Sequence, residues 1–283
     1  MTVLPLWKDG KDRCLTFSYD DGVTQDFRLV EIFNKYNLKC TFNLNSGKFG
    51  INQPANGNFL HPVTHNKIQA SEVAELYKGH EVAVHTVTHP RLQYESVDTI
   101  EYEVLEDRRA LESIVGYPIT GMAYPFGTWN DTVLDVLKKC GIKYARTVEA
   151  TKTFAIPQDF LTWHPTCHFE EEGMDELVNK FLNIGQMYEP SSYLRLFYVW
   201  GHSYEFDGHE TWELFESFCE KLAGHDNIWY ATNGEIVSYY EGLQAATFSA
   251  DKNIVTNNCG QKLWYQVGDK VVSVEPGETK RLF

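Results

Sequence analysis

Short apolar runs alternate with longer amphipathic stretches along most of the chain. Apolar runs at residues 14–19, 39–44, 81–84, 120–124, 143–148, 195–200 and 228–231 predict strands. Between them the spacing changes to a helical one. Leu29, Ile32, Phe33 and Tyr36 fall at i, i+3, i+4 and i+7. Ile100, Val104, Leu111 and Val115 form a longer stripe, and Leu214, Phe215, Phe218 and Leu222 line a third helical face. Gly79, Gly116, Gly141 and Gly224 stand just past helix ends, where a left-handed cap is usual, and Asn130 stands where an N-cap belongs. Strand–helix alternation of this kind predicts an α/β fold with a parallel sheet and helical crossovers. Seven such units predict a closed or nearly closed barrel.

The pattern changes near residue 246. Leu263–Val267 and Lys270–Val274 read as strands flanking a Gly268-Asp269 turn, a hairpin signal. Residues 1–245 are therefore expected to form the barrel and 246–283 a small β-rich appendage packed on it, too short to fold alone. Residues 50–66, rich in Asn, Pro, His and Gly, read as a long loop over the barrel mouth or as a plain surface loop.

Composition narrows the classes. At 283 residues with 43% hydrophobic content, the chain can bury one large core. No run of about 18 apolar residues predicts a membrane span. A net charge of −14 argues against nucleic acid and anionic membrane as partners. The six cysteines are scattered without a CxxC spacing, which predicts reduced thiols. With no basic and apolar leader at the N-terminus, the expected compartment is cytoplasmic. The oligomeric state is left open.

The candidate chemistry falls at strand ends. Asp20 and Asp21 follow the first predicted strand, His85 the third, the Tyr124-Pro125-Phe126-Gly127 segment the fourth and His202 the sixth. That is the face on which α/β barrels build active sites. One carboxylate with His85 and His89 makes a three-ligand site with open positions for water, and the second carboxylate is left to act as a base. On one strand the two histidines would lie about 13 Å apart. A helical turn over 85–89 would bring their Cβ atoms to roughly 5–6 Å, with Pro90 stopping its continuation.

These segments carry a family resemblance. SYDDG (18–22) and GHEVAVHTVTHP (79–90) resemble the metal-site motifs of the polysaccharide deacetylases, the NodB-homology group of carbohydrate esterase family four. KCTFNLNSG (39–47), MAYPFG (122–127) and VWGHSYEF (199–206) resemble further motifs of that family, in order, over about residues 12–240. The resemblance implies a distorted (β/α)7 barrel. It also implies one divalent ion, zinc first and cobalt or nickel as alternatives, on Asp21, His85 and His89. Asp20 takes the place of the general base and His202 that of the acid. The Phe126 N–H would help hold an oxyanion, and Trp200 would wall the acetyl methyl. Tyr124 and Trp163, in the matching motifs, are candidate substrate contacts. Two positions depart from the family: Ala123 stands where an arginine orients the base, and Thr162 where an aspartate precedes Trp163. Arg146, in KYARTV at the end of the fifth predicted strand, is the candidate replacement. The implied function is metal-dependent removal of N- or O-linked acetyl groups from an acetylated sugar. A related amidase on a non-sugar molecule and a catalytically silent carbohydrate-binding barrel are the alternatives.

Overall fold

The structure is a computed structural model that describes residues 2–184 and 194–283. The chain begins with β1 (Val3–Leu6), then β2 (Arg13–Asp20), α1 (Asp26–Lys35), β3 (Cys40–Leu44), α2 (Val73–Leu76) and β4 (Glu81–Val84). It continues through α3 (Val97–Val115), β5 (Gly121–Ala123), α4 (Asp131–Lys139), β6 (Tyr144–Arg146), β7 (Cys167–His168) and α5 (Met174–Asn183). Next come β8 (Arg195–Gly201), α6 (Ser203–His209), α7 (Trp212–Leu222), β9 (Ile228–Tyr230) and α8 (Asn233–Ala245).

Strands β6-β5-β4-β3-β2-β8-β7 form one parallel sheet in that order. β9 pairs with residues 13–15 of β2, on the stretch that β3 leaves open by joining only at Phe17. The sheet curls into a half-barrel with helices around it, the architecture expected from the alternation. All eight residues of β2 are buried, as a strand covered on both faces requires. α1 turns Leu29, Val30, Ile32 and Phe33 inward, and the Phe33 ring packs 4.9 Å from Phe17. Ser96 caps α3 by accepting from the Thr99 N–H, and Gly116 ends it at φ 76°. Asn130 caps α4 through the Val133 N–H. The two-residue strand β7 gave no apolar run to read, and between β6 and β7 only a single bridge, Arg146 to Trp163, continues the pairing.

The predicted C-terminal hairpin is present as β12 (Leu263–Val267) and β13 (Lys270–Val274), following β10 (Thr247–Phe248) and β11 (Ile254–Thr256) and followed by β14 (Thr279–Arg281). The sequence pattern did not show that β1 pairs antiparallel with β12, Leu4 opposite Gln266. Trp7, Tyr239, Leu243, Val255, Leu263, Tyr265 and Val274 share one apolar cluster with Trp163 and Tyr198 of the barrel. Trp7 also donates to the carbonyl of Arg195, the first residue of β8. We propose that residues 246–283 are a covering layer rather than a separable domain. Each large apolar side chain stripped of cover costs about 1.5–3 kcal/mol. A chain ending at Ala245 is expected to lose its cooperative thermal transition or melt far below the full chain, and an unchanged melting curve would refute this.

Candidate active site

Asp20 is the last residue of β2 and Asp21 the first beyond it, with φ 82°. That left-handed turn at a non-glycine residue sends the two adjacent carboxylates different ways. Asp20 accepts a hydrogen bond from Asn43 Nδ2 at 2.8 Å and one from Arg146 Nη2. Burial pushes the Asp20 carboxyl up, but Arg146, His85 and His202 together hold it below its ordinary value. Asp21 accepts from Lys67 Nζ at 3.0 Å, and its other oxygen lies 3.1 Å from His65 Nε2. Those partners overcome burial and hold Asp21 well below the usual carboxylate range. His65 belongs to the 50–66 segment and Lys67 follows directly after it, so the end of that segment borders Asp21.

His85 follows β4. Its Nδ1 lies 2.8 Å from the carbonyl of Ala123, so Nδ1 carries the proton and Nε2 keeps its lone pair for the cleft. The expected helical turn over 85–89 is not formed. Thr86 and His89 instead take left-handed φ values of 68° and 64°, and the loop folds back on itself. Two carboxylates from the inner side of α3 hold it there. Asp107 accepts from the His85 and Ser46 N–H groups at 3.0 and 2.6 Å. Glu103 accepts from the Thr88 N–H at 2.8 Å and from its hydroxyl at 2.6 Å. Gly47 lets the neighbouring loop close in, since a Cβ there would sit 2.7 Å from the Val87 carbonyl oxygen. The result matches what the helical turn was invoked for: the His85 and His89 rings stand 4.7 Å apart.

Asp21, His85 and His89 each offer a ligand atom within 4.8 Å of the others. Burial holds both imidazoles below the ordinary histidine pKa, His89 at about 3, so they are neutral with lone pairs available. An ionised carboxylate with two neutral imidazoles fits a divalent borderline metal. Asp20 Oδ2 lies 3.8 Å from His85 Nε2 and 4.0 Å from His202 Nε2, at the centre of the cluster.

Arg146, at the end of β6, is fully buried. It reaches Asp20 with Nη2, donates from Nη1 to the Thr147 carbonyl, and lies 4.4 Å over the Trp200 ring. Trp200 stands between Arg146, His168 and His202. Phe126 is 46% exposed and packs on His89 and under Arg91, on the rim. The two remaining candidate contacts are not in the cleft. Trp163 is 1% exposed and packs on Tyr144 and Tyr198. Tyr124, also 1% exposed, donates its hydroxyl to the Leu161 carbonyl. A substrate cannot touch side chains so enclosed, and both are wall residues.

His202, the N-cap of α6, was expected here; Glu205, one turn on, was not. Its carboxylate lies 3.0 Å from His202 Nδ1 and 3.0 Å from His168 Nε2. Burial works against protonation of His202, but Glu205, Asp20 and Asp21 outweigh it and raise the pKa to about 9. Asn43, His65, Lys67, Glu103 and Asp107 were also missed. Glu103 and Asp107 had left a sign, since acidic residues beside Ile100, Val104 and Leu111 face inward on an amphipathic helix.

The family model described as polysaccharide deacetylase matches residues 8–145. A chitooligosaccharide deacetylase of Azorhizobium caulinodans is 32% identical over 66 residues, 23% of this chain and 31% of that protein. A second, from Bradyrhizobium sp., is 30% identical over 135 residues, 46% of this chain and 53% of its own length. The chain thus spans about half or less of the curated relatives it matches. A solved structure from Mycobacterium smegmatis, itself described only by this family, is 18% identical, with a TM-score of 0.56 over 85% of this chain and 94% of that one. It supports the fold.

Proposed function

We propose, from the match of residues 8–145 to the polysaccharide deacetylase family model and the likeness to chitooligosaccharide deacetylases, that the chain is a metal-dependent hydrolase that removes acetyl groups from acetylated oligosaccharides of the chitooligosaccharide class. The observation that carries the reading is the convergence of Asp20, Asp21, His85, His89 and His202 at the carboxyl ends of β2, β4 and β8. Asp21, His85 and His89 would hold the ion, zinc by donor type. When bound, a divalent ion supplies Lewis-acid polarisation of the acyl carbonyl and a lowered pKa for water at the site. Asp20, held ionised, takes the proton from the attacking water. Arg146 and Asn43 fix the two Asp20 oxygens and so fix the direction of that transfer. His202, protonated at neutral pH, gives its proton to the departing nitrogen or oxygen. Trp200 walls the acyl side and Phe126 the sugar side of the cleft.

Acetate release from N-acetylated chitooligosaccharides, acetylated xylooligosaccharides and muropeptides, with zinc, cobalt or nickel supplied, tests the reading. Release from the chitooligosaccharides supports it. No release from any substrate with any of the metals refutes it.

The role given to Arg146 has its own consequence. Arg146→Ala is expected to lower kcat by roughly 10²-fold with metal content unchanged, the size of one lost electrostatic contact at a reacting centre. It is also expected to lower the melting temperature, because Asp20 becomes a buried carboxylate without its counter-charge. Unchanged kcat in the folded variant would remove Arg146 from the machinery.

A further inference from the structure

Glu205 has more hydrogen-bond partners than helix capping alone needs. Oε1 lies 3.0 Å from His202 Nδ1. Oε2 accepts from the His202 backbone N–H at 2.9 Å and lies 3.0 Å from His168 Nε2. The His168 tautomer follows from its other nitrogen, Nδ1, which accepts from the Glu170 N–H at 3.2 Å. His168 therefore carries its proton on Nε2 and donates it to Glu205. Three donors converge on one half-buried carboxylate, and they hold it well below its ordinary pKa, against burial. A group so ionised does not exchange protons during turnover. What it can do is hold a neighbour.

We propose that Glu205, itself fixed by His168, is the positioning residue for His202: it keeps the proton on Nδ1 and turns Nε2 toward Asp20 and the leaving group. The inference rests on the acid role proposed for His202. It accounts for Thr162 standing where the family pattern has an aspartate, because the carboxylate partner comes instead from one turn along α6. The geometry is local. His202 is the N-cap and Glu205 the third residue of the helix, so the reach-back bond of a capping box delivers the carboxylate beside the ring. The other groups facing His202 are Asp20 and Asp21 from the end of β2, the His168 ring 6.5 Å away from β7, and the Trp200 and Tyr204 rings. Of these the two aspartates also favour a protonated His202, and Glu205 contributes most.

Glu205→Gln is the informative change. Glutamine keeps the reach-back bond to the His202 N–H and so keeps the helix start, while removing the charge. The first measurement is nitrogen NMR of the histidine rings in the zinc-loaded protein. In the wild type His202 is expected to hold its Nδ1 proton and to titrate at higher pH than in the variant, because the Glu205 carboxylate favours the protonated ring. Identical tautomer and titration in the two proteins would overturn the proposal.

The second measurement separates positioning from general damage. With tetra-N-acetylchitotetraose, whose amine must be protonated to leave, kcat is expected to fall by about 10²-fold. The basic limb of its pH profile moves to lower pH, because activity is lost as pH rises through the His202 pKa. With p-nitrophenyl acetate, whose phenolate leaves unprotonated, kcat is expected to fall at least tenfold less than with the amide, since only the support that His202 gives the Asp20 carboxylate is weakened. Equal loss on both substrates would overturn the proposal, as would an additional loss from Glu205→Gln in a His202→Ala background. If the wild type hydrolyses neither substrate, the hydrolase reading falls, and the NMR comparison still decides whether Glu205 governs the His202 ring.

Discussion

Asp20→Asn is expected to lower kcat by roughly 10³-fold while the protein keeps its full complement of metal. The substitution is nearly isosteric, so the cleft keeps its shape. What it removes is the proposed proton acceptor. Asp20 lies 3.8 Å from His85 Nε2 and 4.0 Å from His202 Nε2, between the candidate metal ligands and the proposed acid. Few other positions could take a proton from water there. Asp21 is occupied by Lys67 and His65, and Glu205 by His202 and His168. Asparagine also brings a third donor to a place where Asn43 and Arg146 already donate, so one of those bonds is lost and Arg146 is left without its counter-charge. A lower melting temperature is expected to accompany the kinetic loss, and turnover must be read on protein shown to be folded. Metal analysis separates the two aspartates. Loss of metal in this variant would mean that Asp20 is a ligand and that the roles of Asp20 and Asp21 are exchanged.

The strands and helices were legible because the sheet is covered on both faces. A strand such as β2, buried along its whole length, has to read as an apolar run. β7 and β1 were not legible, the first because two residues carry no period and the second because its partner lies some 260 positions away. The residues of the candidate metal cluster, Asp21, His85 and His89, were readable as polar groups at or just past strand ends. Their geometry was reached by another route than the one inferred, because two left-handed residues, Thr86 and His89, bend the loop where a helical turn was expected. Positive φ at a threonine leaves no trace in composition. Tyr124 and Trp163 sit in segments that line the barrel, but which side of a strand end a side chain takes is decided by the twist of the finished sheet. Arg146 was readable only through the family resemblance, as a cation at the end of the strand next to Ala123, where that family has an arginine; the structure places its guanidinium on Asp20. Glu205 was within reach too, since His202 and Glu205 have capping-box spacing, but that spacing is met at many helix starts and says nothing about chemistry until His168 is seen on the other side.

His85→Ala is expected to leave the purified protein without bound metal and without hydrolytic activity, and added zinc is not expected to restore either. Three ligand atoms are the fewest that hold a catalytic divalent ion firmly, and this change leaves two. His85 is also the best prepared of the three, because the Ala123 carbonyl fixes its Nδ1 proton and leaves Nε2 aimed at the cluster. Neighbouring variants give the loss its meaning. Asp107→Asn weakens the hold on the His85 backbone N–H without touching the ring, so its zinc affinity is expected to drop by about 10–100-fold, the usual effect of losing an outer partner of a ligand. His65→Ala removes a ring that touches Asp21 but stands outside the three-ligand cluster, and it is expected to keep its metal. Equal metal content in His85→Ala and wild type would overturn the ligand assignment. Loss of metal in His65→Ala together with retention in His85→Ala would move the ion out to the 50–66 loop, and the hydrolytic reading of the cleft would have to be rebuilt around Asp21 and His65.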